Sequence, residues 1–168
     1  MSDEARSAVD HGLGDSPQRV AEAVRDRMLA TDRATRTCGI EVIDIGPGTA
    51  TLRMTVRADM LNGFDTCHGG FLTVLADSAF AFACNTANVQ AVDAGIAMEL
   101  LAPAREGDVL TARAMEVVTA GRNGHYDVQL HDQRGDCVAV FRGRSHRFVG
   151  RPVVQDVERA GADAPVGS

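Results

Sequence analysis

The stretch HGGFLTVLADSAFAFACN, running from His68 to Asn85, decides the fold. Phe71, Leu72, Val74, Leu75, Ala76, Ala79, Phe80, Ala81, Phe82 and Ala83 cover every side of a helix, and a helix that is apolar all round is a buried one. Its only charge is Asp77, and no Lys, Arg or His occurs between Gly69 and Ala104 to pair with it. An ionised carboxylate is costly in such surroundings unless it sits in a cleft with a task. At the head of the same helix, Gly69 and Gly70 leave backbone N–H groups without intrahelical acceptors, where the helix dipole favours negative charge. Each feature has a plain alternative, a tight turn for the glycines and a solvent-facing position for the aspartate. Together they read as a site, because the neighbours of Asp77 at its helical angle, Gly70, Thr73, Val74, Phe80, Ala81 and Cys84, make a semi-polar, concave face.

Outward from this helix the pattern changes to strands. Thr49 to Val56 alternates strictly, with Ala50, Leu52, Met54 and Val56 on one side, and another strand at Gly39 to Ile45 precedes it across Gly46-Pro47-Gly48. Alternation returns at Ile96, Met98 and Leu100, at Val109, Thr111, Arg113 and Met115, and at Tyr126, Val128 and Leu130, with a last strand from Cys137 to Phe148. The turns between them are short, so the sheet is expected to be mostly antiparallel. The fold class is α+β: a curved sheet of five to six strands wrapped around one long central helix. A short amphipathic helix is expected at residues 19–30, after a mobile leader at 1–18, and a disordered tail at 151–168.

The 168 residues suit one domain with a sizeable core, and 45% hydrophobic content fits a globular chain. A net charge of -6 gives no field that would draw nucleic acid or an anionic membrane, and no stretch approaches a membrane span. Partners are expected to be small molecules and copies of the chain itself. The acidic N-terminus lacks the basic start and apolar core of an export signal, so a cytoplasmic location is expected. Cys38, Cys67, Cys84 and Cys137 are widely spaced and lack a paired C-x-x-C, which argues against structural disulfides and a thiolate zinc site. No cofactor is expected.

At Met60-Leu61-Asn62-Gly63, Cys67-His68-Gly69-Gly70, Leu75 to Ala81, Ala83-Cys84-Asn85 and Phe141 to Arg147, in that order, the chain resembles the hotdog-fold acyl-coenzyme A thioesterases of the phenylacetic-acid-degradation type. The resemblance covers roughly Thr37 to Phe148. It implies that Asp77 activates the hydrolytic water or attacks the thioester carbon. It also implies that the Gly69 N–H meets the thioester oxygen, that Asn62 and His68 position substrate, water or the loop, and that Gly70 permits close approach. Related enzymes often place a Ser or Thr on the strand after the helix to orient the water. Here Asp93-Ala94-Gly95 stands there, so another group, such as Thr73, would have to serve.

Helix geometry adds that one copy of each group cannot grip the same carbonyl. Eight residues separate Gly69 from Asp77, about 12 Å at ~1.5 Å rise per residue. A homodimer with shared sites is therefore expected, and the family implies that dimers pair into a tetramer.

Arg142, Arg144 and His146 make one side of the last strand basic, an ordinary solvated strand face or, with Arg122 at its turn, a seat for the coenzyme A phosphates. A catalytic Cys67 is disfavoured, since adjacent side chains seldom point at each other and no third group orients His68. His125 and His131 have no metal-ligand companions at useful spacing. The leading expectation is hydrolysis of phenylacetyl, hydroxyphenylacetyl or a related aryl or medium acyl-coenzyme A. A hotdog enoyl-coenzyme A hydratase would need a His beside Asp77, and a non-catalytic acyl-coenzyme A sensor would have no use for a buried carboxylate.

Overall fold

The computed structural model describes residues 16–155. The expected leader, up to residue 15, and the expected tail, from residue 156, lie outside the described residues. Helix α1 spans Pro17–Thr31 and starts two residues before its expected boundary, because Ser16 caps it by accepting from the Arg19 N–H and Pro17 fits the first turn. A one-turn helix, α2 (Arg33–Thr37), follows on the Asp32 cap, an element that the sequence pattern does not announce. Then come β1 (Glu41–Gly46), β2 (Thr49–Thr55), a 3-10 turn (Ala58–Met60), α3 (Gly69–Asn85), β3 (Ala91–Leu100), β4 (Val109–Ala120), β5 (Asn123–His131) and β6 (Cys137–Arg147).

All strand pairs are antiparallel, in the order β1-β2-β4-β5-β6-β3. The strand that follows α3 in sequence thus crosses to the far edge, and α3 lies across the concave face. Its Phe80 ring packs 5.4 Å from Tyr126 and 5.8 Å from Phe141, centroid to centroid. Gly143 makes room for this, since a Cβ there would come within 2.8 Å of the Phe80 ring. The buried phase of β4 is Leu110, Ala112 and Ala114 rather than the expected Val109, Thr111, Arg113 and Met115, so Met115 points outward, 59% exposed. Small residues are needed under a helix as bulky as α3.

The end of α3 is tied to two neighbours. Thr86 Oγ1 accepts the Gly48 N–H from the β1–β2 turn, where Gly48 has φ 69. The Asn85 side chain holds Ala91 on both sides, accepting its N–H at 2.9 Å and donating to its carbonyl at 3.2 Å. A side-chain amide thereby pairs with the first residue of β3 as a neighbouring strand would. Residues 151–155 are also placed: Val154 exchanges two hydrogen bonds with the Asn88 side chain, and the Arg151 guanidinium lies over the Phe148 ring.

The Gly143→Ala substitution should destabilise the protein by about 1–3 kcal/mol through overpacking against Phe80, read as a lower urea midpoint at unchanged slope.

Candidate active site

The loop before α3 is built on Asn62. Its side-chain oxygen accepts from the N–H of Phe64 at 2.9 Å, the N–H of Thr66 at 3.4 Å and the Thr66 hydroxyl at 3.2 Å. The Cys67 N–H then bonds the Ala104 carbonyl, and the His68 N–H the Met60 carbonyl, which fixes where the helix begins. His68 is the N-cap of α3. Its Nδ1 accepts the Gly70 N–H at 2.9 Å, so that nitrogen is unprotonated and any ring proton sits on Nε2. A Cβ on Gly70 would lie 3.2 Å from the same Nδ1, so Gly70 lets the capping ring close over the helix end.

With Gly70 used by the cap, the neighbouring amide stands out. The Gly69 N–H donates to no acceptor among the described residues. It sits at the positive end of a 17-residue helix, half-buried, with Leu100 of β3 so close that a Cβ on Gly69 would be 2.9 Å from Leu100 Cδ1. An unpartnered, immobilised donor of this kind can stabilise an oxyanion. Thr73 spends its hydroxyl on the Gly69 carbonyl at 2.9 Å, near Met98 Sδ. It braces the helix start, one turn before Asp77.

Asp77 is half-buried, and its Oδ1 is fully buried without a hydrogen-bond partner. Burial raises its carboxyl from the ordinary 3.8 to about 7, helped by the Asp93 carboxyl beside it. Asp93 is the acidic neighbour of Asp77 that sequence reasoning passed over. It stood in the segment where a water-orienting Ser or Thr was expected, and its charge on a strand otherwise carrying only Glu99 was the available signal. The bulge between Asp93 and Gly95 leaves Asp93 opposite Ser145, on the α3 side of the sheet.

The remaining expected residues are not gathered here. Arg142 and Arg144 lie on the outer face of the sheet, opposite α3. Arg142 is engaged in a two-point bond to Asp127, at 2.7 and 2.9 Å, and lines a cleft of about 380 Å³ with Glu99 and Asp127. Arg144 donates to the Ala94 carbonyl at 2.6 Å, and Arg122 stands exposed at the β4–β5 turn. A cleft of about 580 Å³ between Pro17, Gly48, Thr86, Glu116 and Arg147 does not include Gly69 or Asp77. Burial pushes the Cys67 thiol up to about 11, which leaves it protonated and unsuited to attack. Among the described residues no cluster of His, Cys, Asp and Glu could hold a metal ion.

A helix wrapped by a six-stranded antiparallel sheet, with a glycine amide at its head and an aspartate in its body, defines a thioesterase of the hotdog class. The thioesterase superfamily model matches residues 64–139. The chain is 42% identical over 123 residues to the acyl-coenzyme A thioesterase PaaI of Escherichia coli (strain K12), covering 73% of this chain and 88% of that protein. The solved structure of the E. coli PaaI protein from the phenylacetic acid degradation operon superposes with a TM-score of 0.79 at 40% identity, over 81% of this chain and 99% of that one. A mutant of the phenylacetic acid degradation protein PaaI from Thermus thermophilus superposes at 0.67 with 39% identity, over 70% of this chain and 100% of that one. The chain belongs to the PaaI-type acyl-coenzyme A thioesterases and is a thioester hydrolase. No described helix is long and apolar enough to cross a membrane.

The raised Asp77 carboxyl has a consequence for stability. The folded chain holds this proton more tightly than the unfolded chain does, so between about pH 4 and pH 7 unfolding releases it and stability falls as pH rises. Asp77→Asn should abolish that slope, gaining stability relative to wild type as pH is raised across the window, in urea unfolding followed at several pH values.

Proposed function

We propose that the chain hydrolyses phenylacetyl- or hydroxyphenylacetyl-coenzyme A, or a related aryl or medium acyl-coenzyme A, to the free acid and coenzyme A. The observation that carries this reading is the pairing of an unpartnered Gly69 amide with the raised carboxyl of Asp77 on a single helix. The acyl group is taken from the relatives named above. Asp77 acts as general base, since a carboxyl that titrates near neutrality has the basicity to take a proton from water. The water oxygen attacks the thioester carbon, the carbonyl oxygen collects negative charge against the Gly69 N–H, and the C–S bond breaks. The proton taken by Asp77 passes to the departing sulfur, restoring the carboxylate. His68 and Asn62 hold the loop and helix head that aim the amide.

Each centre joins the Gly69 of one chain to the Asp77 of another. The ~12 Å between them along α3 exceeds the ~3 Å reach of a catalytic contact. The edge strand β3 supports this arrangement, with Val92, Ile96 and Leu100 at 43%, 48% and 56% exposure on the isolated chain. Dimers pair further through the outer face, where Met115, Val117 and Val118 are exposed. Arg144 and Arg122 are the basic groups available to the coenzyme A phosphates, Arg142 being held by Asp127. The four free cysteines fit a reducing, cytoplasmic setting.

Thiol release from phenylacetyl-coenzyme A should be readily detected for wild type and fall roughly 10²-fold or more in Asp77→Asn. Binding without release would instead favour a sensor. Mixed dimers of Asp77→Ala and Gly69→Val chains should recover activity that neither parent shows; confirmed mixed dimers without recovery would rule out shared centres.

A further inference from the structure

The backbone does not require glycine at position 69. The residue is the first of α3, and its φ lies outside the left-handed region that favours glycine. What a side chain there would meet is Leu100 of β3, whose Cδ1 lies 2.9 Å from where a Cβ would stand. Leu100 Cδ1 is the far end of a rotatable, exposed side chain, so the fold would make room for a Cβ by turning Leu100 aside. Glycine here preserves a contact more than a fold: a methyl group lying against the backbone of the amide that the His68 cap leaves unused. Leu100 is itself held in place. Its cross-strand partner is Ala139 of β6, as Met98 pairs with Phe141, and since Phe141 packs on Phe80 both β3 side chains point to the α3 face of the sheet. Met98 Sδ lies 3.3 Å from the Thr73 hydroxyl, one turn into the helix. After Leu100, the N–H groups of Leu101 and Ala102 both bond the Val138 carbonyl, and the Ala104 carbonyl takes the Cys67 N–H at 2.8 Å. One short segment thus fixes both Leu100 and the loop that leads into α3.

Resting on the reading of Gly69 as the oxyanion donor, we propose that Leu100 is its positioning residue: the isobutyl group lies on the Gly69 backbone, shields its N–H from water and keeps that donor bare for the thioester oxygen. An N–H that faces water spends its strength on solvent and must shed it as charge builds on the oxygen. One kept dry needs no such reorganisation, and the low dielectric around it strengthens its pull on the anion. The gain belongs to the transition state, since a neutral carbonyl profits little from a bare donor and an oxyanion profits much. Leu100 therefore acts on turnover and leaves binding of the thioester nearly untouched. Because the contact exists only where position 69 lacks a Cβ, Gly69 and Leu100 work as a pair, and a change at either removes the same cover.

The test is a cycle of wild type, Gly69→Ala, Leu100→Ala and the double variant, with Leu100→Met as the conservative replacement, read by kcat and KM on phenylacetyl-coenzyme A and by hydrogen exchange of the Gly69 amide. Leu100→Ala should lower kcat about tenfold at nearly constant KM, less than the ~10²–10³-fold that outright loss of an oxyanion donor costs. Gly69→Ala should cost at least as much, and the double variant no more than the larger single loss. Leu100→Met, whose terminal methyl reaches the same place, should stay near wild type. Since the Gly69 N–H has no acceptor among the described residues, its exchange depends on cover, and it should speed more than about tenfold in Leu100→Ala while the buried Leu72 and Leu75 amides are unmoved. Losses that add in the double variant, an unchanged kcat in Leu100→Ala, or unchanged Gly69 exchange in that variant overturns the proposal. The exchange needs no turnover: were no thioester hydrolysed while Leu100→Ala still uncovered the Gly69 amide, the substrate reading alone would fall.

Discussion

A helix without a polar face must be covered on nearly all sides, and everything else in this protein answers that demand. The sheet curls because α3 has to be wrapped, β4 turns Leu110, Ala112 and Ala114 inward beneath it, and Gly143 is side-chain-free where the Phe80 ring lies. The wrapping is incomplete along a single strip. Phe71, Thr73, Val74, Asp77, Ser78 and Ala81 remain half-buried, and the one charge of the helix lies in that strip. Burial enough to raise a carboxyl, with access enough to reach it, is the condition general-base chemistry requires.

The two ends of the site are made by different physics. At the head of α3, the cap consumes one glycine amide through His68 and leaves the other unused, so the donor is defined by what the cap does not take. In the body of the helix, the relevant property is dielectric: Asp77 is perturbed mainly by the loss of water and only secondarily by its acidic neighbour. His68 therefore matters to the site as a helix-capping group that sets which amide is free, and Asn62 as the acceptor around which the preceding loop turns.

Much of this was legible in the residues themselves. The all-apolar helix, the strict alternation of Thr49 to Val56 and the turn at Gly46-Pro47-Gly48 announced a curved antiparallel sheet on one helix, in the order of elements that the structure has. Asp77 was conspicuous because a charge without a partner has few reasons to be in such a run. Asp93 was not, because strand residues are judged by alternation and the bulge at Asp93/Gly95 breaks the phase that would have placed it on the α3 side. Nor could alternation alone choose the buried phase of β4, where small residues win over Met115 only because of what lies opposite them. Arg142 looked like a phosphate ligand in one dimension; across the sheet it faces Asp127, one strand away and invisible in the linear pattern.

The Asn85 clasp has a mechanical meaning. By holding both backbone groups of Ala91, it removes the freedom that a loop of Thr86 to Gln90 would otherwise allow, and α3 and β3 behave as the two arms of a caliper with its pivot locked. The spacing of the arms, Asp77 on one and Asp93 on the other, is then set by one side-chain amide. An enzyme whose working gap is gauged in this way keeps its geometry through changes at the surface and loses it through a single change in the interior.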